Sequence, residues 1–208
     1  MDVTQPTMVL PSRFRRALLY VVEALGSVSV TKLEKILYLA DLEHHALTGT
    51  TLTGARWVRY TYGPMVKALV PSTQLMDGHE VEVSTEPMGP YDAHVYRPGP
   101  APRFRPNLAS EEKGALDRIL ALVGPLSARE AIALAYNTAP MRFLQRLEAE
   151  TGQARLDVDI PFDLDDATVA DAATPETFPD PAELAAFKRR ERGRIRDLQE
   201  AAVARASR

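Results

Sequence analysis

The sequence predicts an α+β fold, predominantly helical: a single domain with a small β-hairpin, followed by an acidic linker and a C-terminal helix. Three features point there. Apolar side chains recur at helical spacing in several segments that end at Gly or Pro. Two short alternating runs, 79–85 and 93–97, flank a turn-rich piece containing Pro87, Gly89 and Pro90, the pattern of a hairpin. Beyond about residue 153 the aliphatic periodicity stops and aspartates accumulate.

Residues 1–11, with Pro6 and Pro11 and few anchors, read as a flexible arm, and the domain spans 12–153. Phe14, Ala17, Leu18, Val21, Val22 and Leu25 mark a first helix closed by Gly26. After a short alternating piece, Thr31 and Glu34 have the spacing of a capping box, in which hydroxyl and carboxylate each receive an orphan backbone N–H. The helix they open runs to about Thr48, before Gly49. Leu33, Ile36, Leu37, Ala40, His44 and Leu47 share one face, and Tyr38, Leu39 and Leu42 widen it. A helix apolar on most sides belongs in the middle of a fold.

From Ala55 to Tyr62 the run ARWVRYTY reads as a strand, or as an extended segment laying its rings on the core, broken at Gly63-Pro64. Pro64 suits the first turn of a short helix reaching about Val70, which Pro71 ends. The hairpin and the Pro/Gly-rich connector 98–107 come next. Ser110 is placed to cap a helix carrying Leu116, Ile119, Leu120 and Val123, stopped by Gly124-Pro125. Ser127 with Glu130 is a second capping box, opening a helix from Ala128 to about Tyr136. Asn137 or Thr138 caps the next, with Pro140, Phe143, Leu144 and Leu147, ended by Gly152.

Asp157, Asp159, Asp163, Asp165, Asp166 and Asp171 define the acidic linker, 154–180. Asp180-Pro181 with Glu183 opens a basic amphipathic helix over 181–208. Leu184, Phe187, Ile195, Leu198 and Val203 lie roughly on one side, and Lys188, Arg189, Arg190, Arg192, Arg194 and Arg196 cover the rest.

The 208 residues, 45% hydrophobic and 25% charged, fit one sizeable domain plus an appendage. The absence of cysteine excludes disulfides, thiolate metal sites and cysteine nucleophiles, and fits a reducing, cytoplasmic setting. Without a secretory leader pattern or a run of about 18 apolar residues, neither export nor membrane spanning is expected. A net charge of −3 argues against a surface given over to nucleic acid.

No phosphate loop, nucleophile elbow, HExxH or Cys/His cluster occurs. Asp41 and His45, one helical turn apart, form the best metal or acid–base candidate. The plainer reading puts His44 in or near the core, with Glu43 and His45 facing water. His79 and His94 of the hairpin invite pairing across the strands. Trp57, Arg59, Tyr60 and Tyr62 join aromatics to a cation, a composition of interface hot spots and of stacking surfaces. Trp57 and Tyr62 divide evenly between core and interface, while Arg56 and Arg59 lean toward exposure. The element order also matches a winged helix, with PMVKALV as the helix that reads DNA and Lys67 as its one cation. One cation makes DNA binding the disfavoured alternative.

Lys32, Leu33, Lys35, Leu37 and Tyr38, then Gly49, then Tyr62, Gly63, Pro64, Met65 and Val66 form an ordered set. With their surroundings, TKLEKILYLADLEHHALTGTTL and RWVRYTYGPMVKAL, they closely resemble the Panacea domain, also called the SocA-like antitoxin domain. LSAREAIALAYNTAPMRFL is similar to that family's closing helix pair. The resemblance covers about residues 12–150. It departs at Ala139-Pro140-Met141, where members often carry Gly-Pro-Trp, and does not extend to the tail.

The resemblance implies an antitoxin of a bacterial or phage type II toxin–antitoxin pair, which neutralises a cognate protein toxin from the adjacent gene by direct binding. It implies no catalysis, cofactor or metal. Regulation of its own operon through DNA and delivery of a partner to a Clp-type protease are the alternatives. The residues expected to bind the partner are Arg56, Trp57, Arg59, Tyr62 and Lys67 in the domain, with Phe187, Arg190, Ile195 and Leu198 on the terminal helix.

Overall fold

The structure, a computed structural model, describes residues 10–74, 76–87, 92–100 and 107–164. Its elements in order are α1 (Ser12–Leu25), β1 (Val28–Ser29), α2 (Val30–Thr48), β2 (Val58–Tyr60), β3 (Gly63–Met65), α3 (Leu69–Gln74), β4 (Val81–Pro87), β5 (Asp92–Pro98), α4 (Ser110–Val123), α5 (Ala128–Tyr136) and α6 (Ala139–Thr151). Helices dominate and the strands are few and short, as the α+β reading expects.

α2 is the axis. Every residue from Leu33 to Leu42 is buried, so the helix needs neighbours on all sides, and α1, α4 and α5 pack around it. The apolar stripe ends at His44. Leu47, one turn further, is 65% exposed because the chain reverses at Gly49 and none of the described elements covers the last turn. This corrects the inward placement expected for Leu47.

The start of α2 also differs from expectation. Its N-cap is Ser29, whose Oγ accepts from the Lys32 N–H, and Thr31 lies inside the helix. The reason is tertiary: Val28 and Ser29 pair with Tyr96 and Val95 of β5, which fixes where extended chain gives way to helix. Glu34, released from capping, turns into the protein. In α4 the cap is Ala109, whose N–H donates to Glu112 Oε2 at 2.8 Å, and Ser110 is the first helical residue. The box of Ser127 and Glu130 forms as the sequence expects.

The hairpin of β4 and β5 forms an antiparallel sheet in the order β1-β5-β4. His94 stands opposite Thr85, while His79 precedes β4, so the two histidines do not pair. Tyr96 of β5 is buried and its hydroxyl meets Thr73 Oγ1 of α3 at 2.9 Å, tying the hairpin to the domain.

ARWVRYTY continues through Gly63-Pro64 into a second, smaller hairpin of β2 and β3. Pro64 therefore lies in a strand and not at a helix start. Its cross-strand partner Arg59 directs its own backbone N–H to Val158 O and its C=O to Asp157 N, so no N–H is required of Pro64 on that side. The short helix begins later, at Leu69, and holds Pro71 in its first turn, where a missing N–H costs nothing.

The acidic stretch expected to begin a linker at residue 154 is docked on the domain through residue 164. Hydrogen bonds from Asp157 N to Arg59 O, Arg59 N to Val158 O and Ile160 N to Trp57 O hold it beside β2 around a single antiparallel bridge, Val58 opposite Asp159. Ile160 is buried, and Phe162 and Leu164 pack against the core. The remainder of the expected linker and the basic helix 181–208, with Phe187, Arg190, Ile195 and Leu198, lie outside the described residues. So does most of the expected N-terminal arm.

Candidate partner-binding surface

Beneath the β2–β3 hairpin lies a buried polar joint. Lys35 Nζ donates to Pro64 O at 2.6 Å, and Glu34 Oε1 accepts from the Val66 N–H at 3.4 Å. The two side chains are 3.8 Å apart. Burial pushes the Glu34 carboxyl above the ordinary carboxylate range and pulls the Lys35 ammonium below its ordinary value, each opposed by the attraction of the other. Gly63 sits above them at φ 90°. A Cβ there would make only ordinary contact with the Tyr136 ring at 3.4 Å and Lys35 Cε at 3.6 Å, so it is the left-handed backbone that calls for glycine at this turn.

Arg59 fills the other side of the joint. Its guanidinium donates to Tyr136 Oη at 3.1 Å, Glu148 Oε2 at 3.2 Å and the Tyr60 carbonyl, and lies 5.2 Å from the centroid of the Tyr136 ring. Glu148 Oε1 in turn accepts from the Arg155 N–H. Arg59 thus links the hairpin to α5, α6 and the returning segment. Its side chain is 0% exposed, which corrects the expected lean toward the surface.

Asp41 is a second internal anchor. Its carboxylate accepts from Thr53 N at 2.6 Å, from Trp57 Nε1 at 2.6 Å and from the Thr53 hydroxyl. Burial raises its carboxyl to about 6 in spite of these three donors. Trp57 is held in the core, with its ring edge-on to Tyr38 at 5.6 Å. His44 Nδ1 meets the Thr50 carbonyl, and His45 Nε2 faces Asp163 at 3.2 Å. Asp41 and His45 therefore serve different partners, and among the described residues no three His, Asp or Glu side chains converge as a metal site would require.

What remains outside is a ridge at the turn end of the hairpin. Tyr60 is 38% exposed, Tyr62 39%, and Val158, whose carbonyl accepts from the Arg59 N–H, 37%. Arg56 and Lys67 flank them, and each cation meets an aspartate of the returning segment: Arg56 Nε with Asp159 at 2.7 Å and Lys67 Nζ with Asp157 at 2.8 Å. Exposed aromatics edged by half-solvated charges are the composition of a protein-binding surface.

Of the five expected binding residues in the domain, the structure places Arg56, Tyr62 and Lys67 on this ridge and withdraws Trp57 and Arg59 into the interior. Lys67 precedes α3 and lies outside it. α3 itself is LVPSTQ, with no cation, so the DNA-reading helix of the winged-helix alternative does not form. Val158 was hidden among aspartates. The alternation Ile160, Phe162, Leu164 is the signal that this segment packs on the domain, and Val158, next to Asp157 at φ 64°, falls outside it and faces solvent. No single helix among the described residues is long and apolar enough to cross a membrane.

A family model described as antitoxin SocA-like, Panacea domain, matches residues 33–140. The chain belongs to this family. The Panacea match runs from α2 to the start of α6 and so contains Lys35, Tyr38, Arg59, Gly63, Pro64 and Tyr136, the residues of the buried joint and its surroundings. The bridged segment 157–160 lies beyond it. Comparisons with curated proteins and with solved structures gave no match. Membership in the Panacea family supports an antitoxin-type role.

Proposed function

We propose that this chain neutralises a protein toxin, encoded by an adjacent gene in a bacterium or phage, by binding it directly and without catalysis. The Panacea match over residues 33–140 carries this reading. The ridge of Arg56, Tyr60, Tyr62, Lys67 and Val158 supports it, because it is the part of the hairpin corner left outside after the buried joint is made. The family residues set up the corner and the ridge meets the partner. The basic helix 181–208 adds a clamp, with Phe187, Ile195 and Leu198 on its apolar side and Arg190 on its charged side.

Co-expression with the neighbouring open reading frame is the test. Growth arrest by that frame alone, relieved when this chain is supplied, together with co-purification of the two proteins, is the expected result. Toxicity that persists beside a folded, abundant copy of this chain would overturn the reading. Deleting residues 181–208 then tests the clamp: relief that survives the deletion undiminished removes it.

A further inference from the structure

The outer face of α6 holds a groove of about 640 Å³ that lies between the helix and Leu164. Ala139, Arg142, Phe143, Arg146 and Ala149 line it, recurring at three and four residues along one stripe. The opposite side of the helix, with Pro140, Met141 and Leu144, is buried in the core. Two guanidinium groups one turn apart therefore border an apolar floor. Among the described residues, no ion pair engages either of them.

The chain itself leads into this groove, since Leu164 forms one wall and packs against the core. The segment immediately after Leu164 carries the opposite charge. From Asp165 to Asp180 there are five acidic residues, Asp165, Asp166, Asp171, Glu176 and Asp180, and no Lys or Arg. From Pro181 onward the balance reverses, with eight Lys or Arg against four Asp or Glu, so the later tail is repelled by Arg142 and Arg146. A segment tethered at the rim meets its site at an effective concentration on the order of millimolar, so weak individual contacts suffice.

We infer that the acidic segment 165–180 of this chain docks in the α6 groove, with its carboxylates on Arg142 and Arg146 and Val169 over the apolar floor. The occupant is chosen by charge and by continuity of the chain. The docking stands independently of toxin binding.

The 208 residues contain no cysteine, which makes thiol trapping in this chain direct. Gln145, which also lines the groove, is changed to Cys and combined in turn with Ala167→Cys, Ala170→Cys or Ala172→Cys. The control pair is Gln145→Cys with Ala202→Cys. Under mild oxidation of the dilute protein, at least one test pair is expected to close within the chain roughly tenfold faster than the control. Arg142→Glu/Arg146→Glu is expected to slow closure by about tenfold, as is high salt. A thermal melt checks that this variant is folded; Arg142→Gln/Arg146→Gln replaces it if not. Test pairs no faster than the control, or unaffected by charge reversal, overturn the proposal. Disulfides mainly between chains would assign the groove to a second copy instead. Shielding of the thiol at position 145 only when the co-expressed partner is present would assign it to that partner.

Discussion

The ammonium group of Lys35 is bonded to the main-chain carbonyl of Pro64 at 2.6 Å, in a site closed to solvent. This bond joins the central helix to the turn that presents Tyr60 and Tyr62. Lys35→Met would leave that carbonyl without its donor and Glu34 without its cation. Breaking a buried pair from one side costs about 3–5 kcal/mol, so urea unfolding should show a loss of that size. Adding Glu34→Leu removes the stranded charge, and the double variant should lose less than the sum of the two single ones by at least about 1 kcal/mol. Strict additivity would mean that the two side chains do not act as a pair.

Asp41 holds three donors from Thr53 and Trp57. Asp41→Ala strands them in the interior, and a loss of roughly 2–4 kcal/mol is expected in chemical denaturation. Trp57 is the only tryptophan, so its fluorescence reports the site without ambiguity. Emission should shift to the red in the Asp41→Ala variant as the ring loses its anchor. An unshifted spectrum with unchanged stability would show that the carboxylate is dispensable.

The same burial makes stability depend on pH in an unusual direction. Asp41 has its carboxyl raised from 3.8 to about 6 by burial, and Glu34 is raised by the same cause. In the window between the unfolded and folded values the native chain holds more protons, so stability falls as pH rises. The contribution of Asp41 is fully present below about pH 4 and lost by about pH 6. Lys35 acts oppositely on the alkaline side: its lowered value gives stability that is present above pH 10.5 and lost as pH falls. Thermal melts should therefore show a Tm higher near pH 5 than near pH 7.5, with the difference reduced in Glu34→Gln/Asp41→Asn. A Tm that climbs steadily over that range would contradict the assignment.

Much of the helical frame was legible in the sequence because each helix is set by local signals. Ser127 with Glu130 opens α5, and Gly26, Gly49 and Gly152 close α1, α2 and α6 in the left-handed conformation that only local chemistry demands. What was not legible depends on distant residues. Ser29 caps α2 because it pairs with Val95, and Arg59 is buried because Glu148 and Tyr136 receive it. Pro64 looked like a helix start because its missing N–H is harmless there. It is equally harmless opposite Arg59, whose own N–H and C=O are taken by Val158 and Asp157, far along the chain. The surface was the least legible part. Whether Tyr60 or Trp57 faces outward depends on Asp41, sixteen residues before the tryptophan.

That partition predicts how binding and folding separate by mutation. Tyr60 and Tyr62 are each more than a third exposed, so replacing both with Ala should change stability by no more than about 1 kcal/mol. If the ridge meets the toxin, the same double variant should weaken the complex by about 1–4 kcal/mol, or roughly fivefold to a thousandfold. Trp57→Ala should behave in the opposite way. Its indole is buried against Phe14 and Tyr38, so it loses about 3–5 kcal/mol of stability and affects binding only through the fraction folded. Calorimetric titration with the purified toxin, run beside thermal melts of each variant, separates the two effects. Parental affinity in Tyr60→Ala/Tyr62→Ala would remove the ridge from the interface and direct attention to the tail, where the same titration with residues 181–208 deleted gives the complementary measurement.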